Sequence, residues 1–247
     1  IAAEDTRVTA RLLAIHGISR PLTPYHDHNA QRAGPALIKR LKDDEIVALV
    51  SDAGTPLVSD PGYRLVEAAL AEGIHVTALP GPSSVLAALA LAGLPSDRFH
   101  FAGFLASKRG PRRRQIAGLA GIEATLVLFE SPRRLAPTLT DLAEILGPRP
   151  AAIARELTKR FEEVRRATLA ELAAHYDAAG PPKGEVVVVI GPPPAPAEAV
   201  DRGDIDQALR LALAELGVRR ASEVVAAASG HRRREIYERA LALAKKV

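Results

Sequence analysis

Ile46-Val47-Ala48-Leu49-Val50-Ser51-Asp52-Ala53-Gly54-Thr55-Pro56-Leu57-Val58-Ser59-Asp60-Pro61-Gly62 opens as an apolar run and turns at Ser51 into a polar loop rich in Gly and Pro. The run reads as a strand, and the loop follows directly from it. Open α/β sheets take ligands beyond the carboxyl ends of their strands. Gly54 and Gly62 allow tight turns and close backbone approach, while Asp52, Thr55, Ser59 and Asp60 offer acceptors and hydroxyls. The end of the loop also reads as a helix start, with Asp60 as N-cap and Pro61 at the first helical position.

Outward from this loop the same alternation recurs. Val76–Leu79, Phe99–Phe104 and Leu126–Phe129 read as further strands. Thr9–Ile15, Ala36–Leu41, Tyr63–Ala71, Ser84–Leu91 and Leu135–Leu146 carry helical periodicity, and Gly17, Gly73, Gly93 and Gly147 stand where left-handed C-caps are expected. Alternation of this kind predicts parallel sheets with crossover helices. A second loop, Leu79-Pro80-Gly81-Pro82-Ser83-Ser84, again joins a strand to a helix; Ser83 or Ser84 caps that helix or holds a carboxylate. Neither loop matches the dinucleotide or nucleoside-triphosphate glycine signatures.

From Ala151 the pattern changes. Ala151–Arg155 and Glu185–Ile190 read as strands around a helix, Leu169–Ala178, whose Thr168 and Glu171 form a capping box. Val186–Ile190 is apolar throughout, which predicts burial on both faces. Pro192-Pro193-Pro194-Ala195-Pro196 is a stiff linker. Beyond it, Asp204–Leu216, Ser222–Ala228 and Arg233–Lys246 read as short helices stopped by Gly217 and Gly230, loosely like a basic helix-turn-helix. The fold class expected is α/β: two α/β domains, 1–105 and 106–192, and a C-terminal helical module, 200–247.

Composition narrows the chemistry. The 247 residues hold no cysteine, which removes disulfides and thiolate ligands or nucleophiles and suits a reducing cytoplasm. The scattered histidines give no metal-binding spacing and no metal is expected; His26 and His28 read as a ligand pair or as a polar loop. No apolar run reaches the roughly eighteen residues of a membrane helix. The chain opens on Ile1 without an initiator methionine, and Ile1–Arg11 reads as neither signal nor transit peptide, so the natural N-terminus is expected upstream. Net charge is +4, gathered into Lys108–Arg114, Arg133–Arg134, Arg165–Arg166, Arg219–Arg220 and Arg232–Arg234. Such clusters suit a polyanion, or form a solvated Arg-rich surface.

Glu4-Asp5-Thr6-Arg7, Ser51–Gly62, Pro80–Ser84, Phe129-Glu130-Ser131-Pro132-Arg133-Arg134 and Ala154-Arg155-Glu156-Leu157-Thr158-Lys159 occur in one order. Together they resemble the ribosomal RNA small subunit methyltransferase I family of the tetrapyrrole-methylase superfamily. The likeness runs from Ile1 to about Ile190 and continues in Glu235-Ile236-Tyr237 and Ala240-Leu241. It implies S-adenosylmethionine-dependent 2′-O-methylation of a cytidine ribose in 16S rRNA, the one conventionally numbered 1402, by a homodimer acting on the small ribosomal subunit. It further implies that Ala53, Gly54, Thr55 and Val58, with Asp52 orienting the loop, line one side of the cofactor cleft. Ser83 and Ser84 face them, and Phe129 and Glu130 take the adenosine side. The family begins with a strand and a loop resembling T-P-I-G-N-L, so 1–105 is expected to lack its first strand.

A ribose hydroxyl needs a proton acceptor or a polarising cation. Glu4, Asp5, Glu130, and Glu156 with Lys159 are candidates, with Glu130 and Glu156 preferred; either is equally an ion-pair partner for Arg133 or Arg155. Arg7, Lys108, Arg109, Arg112, Arg133, Arg134, Arg155, Lys159, Arg232 and Arg233 read as phosphate contacts. Tyr25 is a base-stacking platform or a core residue. Two other functions stay open: a tetrapyrrole or diphthine-type methyltransferase, and a non-catalytic RNA-binding or ribosome-assembly protein. The basic clusters and helical tail favour RNA.

Overall fold

The computed structural model describes residues 1–194, 202–229 and 233–244. They fall into two compact units, Ile1–Pro192 and Pro193–Val247. The first holds two sheets.

The smaller sheet is parallel, in the order β2 (Thr23–Pro24), β1 (Ala2–Ala3), β3 (Leu49–Val50). Ala2 lies opposite both Thr23 and Leu49. The crossovers are α1 (Thr6–Ile15) and α2 (Ala30–Lys42), and α3 (Tyr63–Ala71) follows β3. Ala2, Tyr25, Ala30, Leu37 and Leu65 form its core. Tyr25 is therefore a core residue, and its ring is not open to a base.

The larger sheet has the order β4 (Phe99–Phe104), β5 (Thr125–Glu130), β8 (Val186–Ile190), β6 (Pro150–Arg155), β7 (Glu163–Thr168). It is mixed rather than parallel: β4 and β5 run parallel, while β8 is antiparallel to both β5 and β6. Period-two alternation splits its side chains between two apolar layers. Val127, Ala152, Ala154, Val187 and Val189 face α4 (Ser84–Ala92). Leu126, Leu128, Ile153, Val188 and Ile190 face α5 (Arg109–Leu119), α6 (Leu135–Leu146) and α7 (Leu169–Ala179). Burying such a side chain stabilises by about 1.5–3 kcal/mol. The two-sided burial of β8 explains its unbroken apolar run.

Several expected elements stand as read. α3 and α6 keep their bounds, Ser83 caps α4, and the Thr168–Glu171 capping box is formed. Gly17, Gly73, Gly93 and Gly147 all have positive φ. Others differ. Val76–Leu79 is not a strand, because no neighbouring strand among the described residues pairs with it. The N-cap of α3 is Gly62 rather than Asp60, and Pro61 lies outside the helix. β7 and α5 had no counterpart in the sequence reading. β4, ahead of residue 105, pairs within the larger sheet.

The second unit comprises α8 (Arg202–Glu215), α9 (Val218–Ser229) and α10 (Arg233–Ala244), around Ile205, Leu209, Val225, Ile236 and Ala240. Gly230 and Arg232 lie outside the described residues. No described helix is long and apolar enough to cross a membrane.

Candidate functional site

β1 and β3 are parallel neighbours, so the residues after them emerge at one edge. Their two loops are laced together. The Asp52 amide donates to Glu4 Oε2 at 3.1 Å, and the Asp5 amide donates to Asp52 Oδ1 at 3.1 Å. Asp5 also caps α1, accepting from the Arg7 amide at 2.8 Å, and pairs with the Arg7 guanidinium at 2.5 Å. That guanidinium, helped by the Arg7 amide, holds the Asp5 carboxyl down to about 2. Asp60 moves the other way. Burial raises its proton affinity against a bond from Ser51, and the charges of Glu4 and Asp52 push in the same direction as burial.

The Ser51–Gly62 loop reaches the second expected loop directly: Thr55 Oγ1 donates to the Pro82 carbonyl at 2.9 Å. Its backbone is strained, with Leu57 at φ +73° and Ser59 at φ +62°. Gly62, at φ +139°, cannot be replaced quietly, because a Cβ there would sit 2.6 Å from Leu49 Cδ2 and 2.9 Å from Leu57 Cδ1. Ser83 Oγ accepts from the Leu86 amide at 3.4 Å, so its cap role is met while Ser84 stays exposed. Asp52, Ala53, Gly54 and Val58 are also exposed.

The larger sheet approaches this loop at β4. A register shift between Phe101 and Gly103 marks a bulge in β4, and a Cβ on Gly103 would lie 3.6 Å from Ser59 Oγ. In a regular strand Phe101 and Phe104 would point to opposite faces; the bulge lets both touch Phe129. The ring centroids are 4.9 Å apart for Phe101–Phe129 and 5.5 Å for Phe104–Phe129, both edge to face. Phe104 is more than half exposed. Sequence reasoning placed Phe129 here and missed Phe101 and Phe104. Their odd spacing hid the shared face, and Gly103 inside an aromatic strand was the available signal.

The remaining expected site residues are dispersed. Glu130 is buried and fully engaged, accepting from the Ser131 amide at 2.6 Å, Thr138 Oγ1 at 2.7 Å and Arg134 at 2.6 Å. Its partner is thus Arg134, not Arg133. Glu156 accepts from Lys159 Nζ at 2.8 Å and the Glu185 amide at 3.0 Å, and these two donors hold its carboxyl below the usual range. Arg155 pairs with Glu163 at 3.0 Å. Lys159 bridges Glu156 and Glu185, at 2.8 and 2.9 Å.

Arg112 leaves the set of phosphate contacts. Its side chain is 6% exposed and grips Asp141, itself 1% exposed, at 2.6 Å. Arg109 and Arg113 complete that cluster. Burial alone would raise the Asp141 carboxyl, but Arg113, Arg112 and Arg109 outweigh it and hold it low. Lys108 and Arg133 are exposed and without an ion-pair partner among the described residues, and Arg7 remains largely exposed. In the second unit Arg233 pairs with Glu223.

This two-sheet α/β fold is that of the tetrapyrrole methylases. The family model described as Tetrapyrrole (Corrin/Porphyrin) Methylases matches residues 1–173, and one described as RsmI C-terminal HTH domain matches residues 199–244. The chain belongs to the ribosomal RNA small subunit methyltransferase I family within that class. It is 53% identical to Ribosomal RNA small subunit methyltransferase I of Mesorhizobium japonicum over 98% of this chain and 82% of the relative. The namesake from Escherichia coli O157:H7 is 41% identical over 98% and 85%. Among solved structures, the methyltransferase CobJ matches at TM-score 0.52 and 20% identity, covering 77% of this chain and 92% of that one. Diphthine synthase matches at TM-score 0.55 and 19% identity, covering 74% and 73%. Those likenesses bear on the fold.

Proposed function

We propose that this rRNA methyltransferase uses S-adenosylmethionine to methylate a ribose 2′-hydroxyl of 16S rRNA in the small ribosomal subunit, at cytidine 1402 by family resemblance. The observation that carries the reading is the convergence of the two strand-end loops, joined by Thr55 and Pro82, with the Phe101–Phe129–Phe104 cluster beside them through Ser59 and Gly103. This donor set fits the cofactor. Asp52, Ala53, Gly54, Thr55 and Val58 form one wall, Ser83 and Ser84 with the α4 N-terminus suit a carboxylate, and Phe129 suits an adenine.

When bound, the cofactor supplies an electrophilic sulfonium methyl group. The protein's part is to align the hydroxyl and receive its proton. Glu130 and Glu156 are positioning residues in this reading, since their oxygens are already bonded. Asp60, half-buried in the Ser51–Gly62 loop with its proton affinity raised by burial, is assigned the proton. Lys108, Arg133 and Arg7 meet phosphates, together with the basic starts of α9 and α10. The protein works as a cytoplasmic homodimer. The basic C-terminal unit favours RNA over a tetrapyrrole or a diphthine-type substrate, which gives no use to it.

Calorimetric titration of the protein with S-adenosylmethionine tests the cofactor. Binding supports the enzyme reading; failure to bind returns the choice to a non-catalytic RNA-binding protein. Transfer of a labelled methyl group to a 16S ribose in small subunits, read by nuclease mapping, tests the substrate. A label found on the base instead would overturn the 2′-hydroxyl assignment.

A further inference from the structure

β6 is followed by Glu156-Leu157-Thr158-Lys159-Arg160-Phe161-Glu162. Phe161 leaves 63% of its surface in solvent, and the Arg160 guanidinium lies over its ring, 5.5 Å from the centroid. Phe161 is the most exposed of the five phenylalanines. Arg155 and Lys159, the cations of this segment read as phosphate contacts, are both committed to carboxylates. Arg160 has no carboxylate partner among the described residues and faces the ring alone.

The loop is built, not slack. Glu156 and Thr158 hold φ of +49° and +64°. The Thr158 amide donates to Glu162 Oε2 at 2.7 Å, and the Glu156 carboxylate is clamped by Lys159 and the Glu185 amide. Gly184, at φ +91°, leaves room for that carboxylate, whose Cδ would lie 2.2 Å from a Cβ at this position. Leu157 packs on the apolar layer that holds Val85 and Ala88 of α4. β5 and β6 are both antiparallel to β8 and so run the same way, which puts the loop after β6 at the edge where β5 ends in Phe129 and Glu130. A ring held outward, with one face covered by a planar cation, keeps the other face for stacking, while the guanidinium fork remains open to a phosphate.

We infer that Arg160 and Phe161 form a clamp for an unpaired nucleotide of the RNA substrate: its base stacks on Phe161 and an adjacent phosphate meets Arg160. This rests on the RNA reading proposed above. RNA is recognised chiefly through unpaired bases stacked on aromatic or Arg planes, and this chain has few aromatics to offer.

The test is equilibrium binding of the full-length protein to purified small ribosomal subunits across a salt series, with cofactor calorimetry and analytical sedimentation alongside. Phe161→Ala weakens subunit binding by roughly five- to 150-fold and leaves the salt slope unchanged, and Phe161→Trp restores it. Arg160→Ala also weakens binding and reduces the slope by about one. Cofactor affinity and oligomeric state stay as in the wild type. Unchanged subunit binding by Phe161→Ala overturns the clamp. So does a weakening that comes with lost cofactor affinity, which marks a structural role, or with dissociation of the oligomer, which marks a subunit contact. If the wild type itself binds subunits without salt dependence, the RNA reading falls and takes the clamp with it; a wild type that binds beside an indifferent Phe161→Ala sinks the clamp alone.

Discussion

The three-stranded sheet pairs two residues in each strand, Ala2–Ala3 against Thr23–Pro24 and Leu49–Val50, whereas every ladder of the five-stranded sheet runs five or six pairs. The larger sheet is covered on both faces, and its β8 is buried at every position. β3 is only half-buried, and the loop that follows it carries two non-glycine residues at positive φ. Stability and backbone strain are thereby lodged in different places. The well-paired sheet holds the aromatic wall still, and the lightly tied one carries the strained loop.

The comparison breaks outright if amide exchange is as slow in the small sheet as in the large. The Tyr25 and Glu4 amides are expected to exchange well before those of Leu128 and Val188, read by hydrogen–deuterium exchange. The largest mutational effect is expected at Asp141. Asp141→Ala leaves Arg112 buried without a counter-charge and should cost about 3–5 kcal/mol by denaturant titration. Gly62→Ala should cost less, about 1–3 kcal/mol from backbone strain and the clash with Leu49, but should lose most cofactor affinity in calorimetry.

Asp60→Asn separates the two roles of the small sheet. Asp60 has its folded-state proton affinity raised, so the folded protein binds more protons than the unfolded chain and stability falls as pH rises from the ordinary aspartate value toward the raised one. The amide removes that loss: the melting temperature should rise at pH 7, the gain should vanish below about pH 3.9, and methyl transfer should fall on the order of a hundredfold or more. A variant that melts higher and still transfers methyl at the wild-type rate would return the proton to another acceptor. The smallest effect belongs to the exposed pair of Lys42 and Glu72, 2.7 Å apart, where Lys42→Ala should cost under about 1 kcal/mol and nothing at high salt.

What the sequence concealed follows from how each element is held. α3, α6 and the Thr168 capping box were legible because local periodicity and cap chemistry suffice to define them. α5 was not: Arg109-Gly110-Pro111-Arg112-Arg113-Arg114 reads as a basic linker, and its partner Asp141 is 29 positions from Arg112 in the chain. β7 was hidden because Glu163-Val164-Arg165-Arg166-Ala167-Thr168 lies at an edge and shows little apolar alternation. Conversely, Val76–Leu79 has strand composition but no ladder partner among the described residues. The two strand-end loops were found by motif, and the aromatic cluster only in part, since a one-residue bulge cannot be seen in spacing.

That bulge has a second consequence. β4 and β7 are the outer strands of the larger sheet, and an outer strand is a template on which another chain can add itself. β7 carries Arg165 and Arg166, whose charges resist such growth. β4 is aromatic, with Phe99 and Phe104 exposed, and has no charged residue to guard it. The register shift at Gly103 interrupts its row of free amides and carbonyls. The kink that turns Phe104 toward Phe129 therefore also works against this edge seeding a growing fibril.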